Sequence, residues 1–206
     1  MGRIIGCRRV LNKIMKIQSL LPNKKIPKKI FLTGVPGSRW SGIAQEIEEF
    51  VNADCSDRKP EREYSHKQFT GHIGAYFGTG MEFPAVFSEH NLDAPYSQPH
   101  TLFNQCRVHK SHEWAYVLDN LSEEFPKDWI VLIYRNNESS FNWWKEAGGW
   151  DIKYPDYSWY VNDSIMMNKI REQNELILDF AKNNCLLWKQ HHIFSDIFLS
   201  VWAKQE

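Results

Sequence analysis

Ile30-Phe-Leu-Thr-Gly-Val-Pro-Gly-Ser-Arg-Trp-Ser41 runs from an apolar strand through a Gly/Pro/Ser turn into a helix. A strand that enters a tight turn and then a helix aims backbone N–H groups, and the positive end of the helix dipole, at any anion in the turn. The phosphate loop of nucleotide triphosphatases needs G-x-x-x-x-G-K-[ST]. Here the register is Gly34-Val-Pro-Gly-Ser-Arg39-Trp40-Ser41, with Arg39 and Trp40 where Gly and Lys are required. The stretch therefore reads as an anion cradle without the lysine of ordinary ATP hydrolysis.

Working outward, Ile43, Ala44, Ile47, Phe50 and Val51 recur at helical spacing, with Gln45, Glu46, Glu48 and Glu49 on the other face. That pattern predicts a half-buried helix after the turn. On the other side, Lys24-Lys25-Ile-Pro27-Lys28-Lys29 is a charged, proline-marked joint. It divides a basic N-terminal extension, 1–28, from an α/β domain, 29–206. The extension alternates Arg and Lys with apolar residues, and its uncharged runs are far shorter than the roughly 20 residues of a membrane span. It is read as packed on the domain, with weak contact at a membrane surface as the alternative.

Further along, Asp54–Pro99 is rich in Gly, Pro, His, Tyr and Phe and weakly periodic, apart from a short strand near Ala85–Phe87. Loops around a substrate opening have this character. Cys106–Lys110 reads as a strand and His112–Phe125 as a helix closed by Pro126. Trp129-Ile-Val-Leu-Ile-Tyr134 is an apolar run of the kind buried on both faces of a parallel sheet. A helix over Ser158–Lys182, an apolar run at Cys185–Trp188 and a C-terminal helix through Ile197, Phe198, Val201 and Trp202 complete the reading. Alternating strands and helices predict a three-layer α/β/α fold around a central, mainly parallel sheet, similar to the P-loop NTPases.

Composition sets the boundaries of function. The 206 residues carry 25 basic and 25 acidic side chains, so no global field draws the chain to nucleic acid. The scattered Cys7, Cys55, Cys106 and Cys185 have no zinc spacing and are read as reduced thiols of a cytoplasmic protein. The adjacent His191 and His192 are read as structural, and no metal is expected.

Ligands of open α/β sheets bind outside the carboxyl ends of the strands. Three such ends carry charge or anion-binding backbone: Gly34–Ser41, Lys110-Ser-His112, and Arg135-Asn-Asn137. In this order the segments resemble the sulfotransferases that use 3′-phosphoadenosine 5′-phosphosulfate (PAPS). Thr33-Gly-Val-Pro-Gly-Ser-Arg-Trp-Ser41 is similar to the family's 5′-phosphosulfate loop. Lys110-Ser-His112, 23 residues before Arg135, is similar to its Lys-Thr-His segment followed by a strand ending in Arg-Asn-Pro.

The resemblance implies a PAPS donor, leaving 3′-phosphoadenosine 5′-phosphate, and a small-molecule, carbohydrate or lipid acceptor with a hydroxyl or amine. It implies His112 as general base, with Lys110 and Arg39 stabilising charge at the transferred group. Pro36, Gly37, Ser38, Arg39, Trp40 and Ser41 would form the cofactor loop, with Trp40 stacked on adenine. Arg135 with Ser139 or Ser140 would take the 3′-phosphate. The chain departs from the family in three places. Gly37 stands where a basic residue is usual, Trp143 falls where strict counting puts the 3′-phosphate serine, and no C-terminal Arg-Lys-Gly loop is evident. A divergent P-loop nucleotide or small-molecule kinase, and a catalytically silent nucleotide-binding module, are the competing readings.

Overall fold

The computed structural model describes residues 17–22, 25–66, 69–78, 82, 89–97, 105–152 and 160–204. Its centre is a five-stranded mixed sheet, mostly parallel, built from β1 (Lys29–Gly34), β4 (Arg107–Lys110), β5 (Trp129–Arg135), β6 (Lys189–Gln190) and β7 (Ile197–Trp202). The order across the sheet is β4-β1-β5-β7-β6. β1 pairs in parallel with both β4 and β5, whereas β7 runs antiparallel to β5 and β6. A separate antiparallel hairpin joins β2 (Glu63–His66) to β3 (Phe69–Ile73). The strand expected at Ala85–Phe87 lies outside the described residues.

The helices are α1 (Trp40–Val51), α2 (Glu89–Asp93), α3 (Leu118–Glu124), α4 (Asn137–Glu146) and α5 (Asp163–Asn183). Side chains of successive strand residues point to opposite faces, and the two cores follow that alternation. Ile30, Leu32, Val131 and Ile133 pack with α1, while Phe31, Ile130 and Leu132 pack with α3 and α5. The central strands are therefore covered on both faces, which is why their sequence is continuously apolar. Ile17, Leu20 and Leu21 belong to the α1-side core, so this part of the N-terminal segment packs on the domain. Among the described residues no helix is long and apolar enough to cross a membrane.

Several elements differ from the sequence reading, among them the β2–β3 hairpin and α2 within the segment read as loops. Ile197–Trp202 is a strand: a short segment rich in β-branched and aromatic residues pairs along the whole open side of β5. His112–Phe125 divides into a 3-10 turn, Glu113–Tyr116, and α3. Asn137–Glu146 forms α4, started by Asn136, whose side chain accepts from the N–H groups of Glu138 and Ser139.

The face of α1 that its charges mark as solvated is partly interior. Glu48 is buried against Lys110, at 2.5 Å, and Arg58, at 2.6 Å, and Glu46 is buried beside His191. Burial of carboxylates is tolerable when they are paired. Nearby, Arg107 is fully buried between Asp54 and Asp93, at 2.9 and 2.7 Å. These ion pairs tie α1 and β4 to the loop segment that the sequence leaves irregular.

Candidate functional site at the carboxyl ends of the strands

β1 and β5 are hydrogen-bonded neighbours, with Gly34 registered against Ile133. The chain leaves β1 toward β4 on one side, and leaves β5 toward β7 on the other. This is the reversal of strand order at which α/β sheets open a crevice. The turn after β1 and Arg135 at the end of β5 meet there. Arg135 Nη1 donates to the Gly37 carbonyl across 3.0 Å, and its Nε donates to Asp196 Oδ2 at 2.7 Å.

The turn has the backbone of an anion nest. Gly37 takes φ +80°, and Arg39 takes φ 62°, ψ 22°. Arg39 thus holds the left-handed conformation that the nucleotide loop gives to glycine. Alternation of left- and right-handed residues turns successive N–H groups to one side. α1 begins at once, with no capping side chain and no acid in its first turn. Its first N–H groups have no carbonyl four residues back within the helix. Ser38 Oγ is buried in the turn and has no hydrogen-bond partner among the described residues. An uncapped helix start beside an unsatisfied hydroxyl suits an anion.

Gly37 explains its own identity. A Cβ built there would lie 1.9 Å from the Ser140 carbonyl oxygen and 3.0 Å from the Trp144 nitrogen. The turn rests directly on the backbone of α4, so the basic residue usual in the sulfotransferases has no space. Arg39 does not fill the gap. Its guanidinium is held between the rings of Trp143 and Phe194, with centroids at 4.0 and 3.9 Å. Burial, and then the charge of Arg135, hold its pKa below the usual arginine value.

The remaining candidates are distributed by packing. Trp40 is buried among His72, Tyr76 and His112, so its ring offers no face to an adenine; its backbone N–H alone remains for the cradle. Pro36 is buried and has no N–H, while Ser41 is half-buried in the first turn of α1. Lys110 is buried against Glu48, about two turns into α1, and Asp57, which neutralise it. Burial raises the Asp57 pKa, against the opposing pull of Lys110. Ser140 is buried and donates to the Arg135 carbonyl at 3.3 Å, so it is spent on the fold. Ser139 stays half-buried at the start of α4.

His112 lies behind the turn and is held on every polar atom. Nδ1–H donates to the Gly34 carbonyl, and Nε2 accepts from Trp40 Nε1 at 3.1 Å. Its N–H donates to the Tyr76 hydroxyl, and its carbonyl accepts from Gln173 and Thr33. The Gly34 carbonyl can only accept, which fixes the proton on Nδ1. Complete burial depresses the pKa to about 4. The ring is thus neutral at pH 7, as a base must be, yet its accepting nitrogen is occupied.

In the segment read as loops around a substrate opening, Tyr76 and Phe77 are core. Sequence reasoning missed Trp143, Phe194 and Asp196, which hold the two arginines. The signal for Trp143 was present: it is the residue that the spacing put in place of a serine.

Glu46, His191 and His192 place ligand-type atoms within 4.8 Å of one another. His191 Nδ1 accepts from the N–H groups of Ile193 and Phe194, at 3.2 and 3.3 Å, so the neutral ring carries its proton on Nε2. That nitrogen faces Glu46 Oε2 at 3.4 Å, which fits a buried His–Glu pair better than a metal ligand set. None of the protein-family models, curated proteins or solved structures compared with the chain matches it.

Proposed function

We propose that this chain is a PAPS-dependent sulfotransferase whose donor binds across the carboxyl ends of β1 and β5. The observation that carries the reading is the Arg135–Gly37 hydrogen bond, which joins the anion nest to a strand-end arginine at the sheet's reversal point. Amides at the start of α1 would hold the 5′-phosphosulfate, and Arg135 would take the 3′-phosphate, for which a guanidinium fork is suited. The donor supplies an activated sulfuryl group. The acceptor oxygen or nitrogen bonds to sulfur as the bond from sulfur to the phosphate bridge oxygen breaks. The acceptor's proton passes to His112 Nε2. That step requires the Trp40 indole to swing away, because it occupies Nε2 in this arrangement.

The engagement of His112 and Lys110 favours a second reading, a nucleotide-binding module that does not transfer. Calorimetry with adenosine 3′,5′-bisphosphate and with ATP-Mg²⁺ tests the first step, and sulfuryl transfer from PAPS to a panel of hydroxyl and amine acceptors tests the second. Bisphosphate binding together with transfer that Arg135→Ala abolishes is expected. Binding without transfer to any acceptor selects the module. Tight ATP-Mg²⁺ binding with no affinity for the bisphosphate overturns the sulfotransferase reading.

A further inference from the structure

Arg39 is a costly residue in its position. An L side chain in the left-handed region is uncommon outside Asn, Asp and His, and glycine would take φ 62° at no steric cost. The placement it achieves is specific. The guanidinium carbon lies over the Trp143 ring and over the Phe194 ring, and its five N–H donors lie in one plane. Among the described residues none accepts a hydrogen bond from that guanidinium. Arg135 approaches the same indole, its guanidinium carbon 5.7 Å from the Trp143 centroid. Arg135 spends its Nε N–H on Asp196 and one Nη1 N–H on Gly37, which leaves one N–H on Nη1 and two on Nη2.

Two guanidiniums thus share one aromatic platform, and of the two only Arg135 is bonded to a carboxylate, Asp196, among the described residues. Their mutual repulsion registers on Arg39 as the second cause, after burial, of its lowered pKa, with Asp196 and Glu146 opposing. A site that brings like charges together on a half-buried surface is relieved by a group of opposite and higher charge. A phosphate monoester carries about −1.5 to −2 at pH 7 and three acceptor oxygens. A sulfate ester, or the phosphate within an anhydride, carries less.

We infer that Arg39 acts with Arg135, over the floor made by Trp143, as a two-arginine clamp that selects nucleotides bearing a terminal phosphate monoester beside the ribose. The inference rests on the nucleotide reading above and assigns Arg39 to the 3′-phosphate rather than to the transferred sulfuryl group. It also makes Trp143 a participant, where spacing alone puts a lost serine.

The test is a calorimetric titration of the full chain with adenosine 3′,5′-bisphosphate and, separately, adenosine 5′-phosphate, for wild type, R39G and R39K. Glycine keeps the left-handed backbone, so R39G removes the clamp and leaves the turn in place. Bisphosphate affinity should fall about ten- to a hundredfold in R39G, the scale of hydrogen bonds to a charged group, with 5′-phosphate affinity changed less than about threefold. R39K, which keeps the charge and loses the planar fork, should fall between. Equal losses for the two nucleotides, or no loss in either variant, would overturn the clamp while leaving the nucleotide reading intact. A wild-type chain that binds neither nucleotide would overturn both.

Discussion

Trp40 Nε1 donates to His112 Nε2 across 3.1 Å, so the residue standing where a phosphate loop carries lysine governs the histidine behind the loop. A hydrogen bond to the lone pair of Nε2 favours the neutral ring. W40F removes that donor and should raise the His112 pKa from about 4 by roughly one unit, the equivalent of one hydrogen bond. Long-range ¹H–¹⁵N imidazole spectra across a pH titration report both the shift and the Nδ1–H tautomer. An unchanged pKa would mean that burial alone sets it.

His112 also makes the fold acid-sensitive. Its pKa lies near 4 in the folded chain against an ordinary 6.5, so the unfolded chain binds more protons between those values. The stabilisation is complete above about pH 6.5 and drains away as pH falls toward 4, by about 3 kcal/mol in all. H112Q cannot titrate, so the difference in its urea midpoint between pH 7 and pH 4.5 should be smaller than that of wild type. Equal slopes would count against the buried, neutral ring.

Two glycines five residues apart should respond with opposite sign. At Gly37 a methyl group meets the Ser140 carbonyl at 1.9 Å and φ is +80°, so G37A should destabilise by about 3 kcal/mol or more through strain and displaced backbone. At Gly42, in the first turns of α1, a Cβ meets nothing within 4 Å. G42A should stabilise by about 0.5–1 kcal/mol through helix propensity. Thermal melts of the two variants decide this.

The Lys110–Glu48 pair is expected to matter through its breakage. K110M leaves the buried Asp57 carboxylate without its cation and Glu48 with Arg58 alone, and should cost about 3 kcal/mol. K110M/E48Q should lose less than the sum of the single variants, because the Lys110–Glu48 interaction can be lost only once. Additive losses in a denaturant double-mutant cycle would show that the two side chains are not coupled.

The sheet was legible wherever burial on two faces wrote a continuous apolar run, as at Ile30–Thr33 and Trp129–Tyr134. It was misread at Ile197–Trp202, where apolar residues on both faces hide the alternation that separates strand from helix. α4 was missed because Asn137–Glu146 has little apolar periodicity, and its cap, Asn136, stands beside Arg135 in the segment read as a ligand-binding strand end. The Gly34–Ser41 turn and Arg135 were found by residue type and order, and they meet in space. The directions taken by Trp40, Lys110 and Arg39 were not legible. Each is fixed by a partner distant in sequence: His112, Glu48, and Trp143 with Phe194. Spacing along a chain records which elements carry a residue, and not which way its side chain leaves them.

The contact between Gly37 and the Ser140 carbonyl makes the turn and α4 alternatives to separate designs rather than independent parts. A basic side chain at position 37 and a helix seated against that position exclude each other. Related chains should therefore divide into two sets: those with glycine at 37 and a docked helix, and those with lysine or arginine there and the helix set back. Gain of a charge at 37 would have to be accompanied by substitutions along Ser139–Trp144, so the identity of residue 37 is tied to a segment more than a hundred residues away.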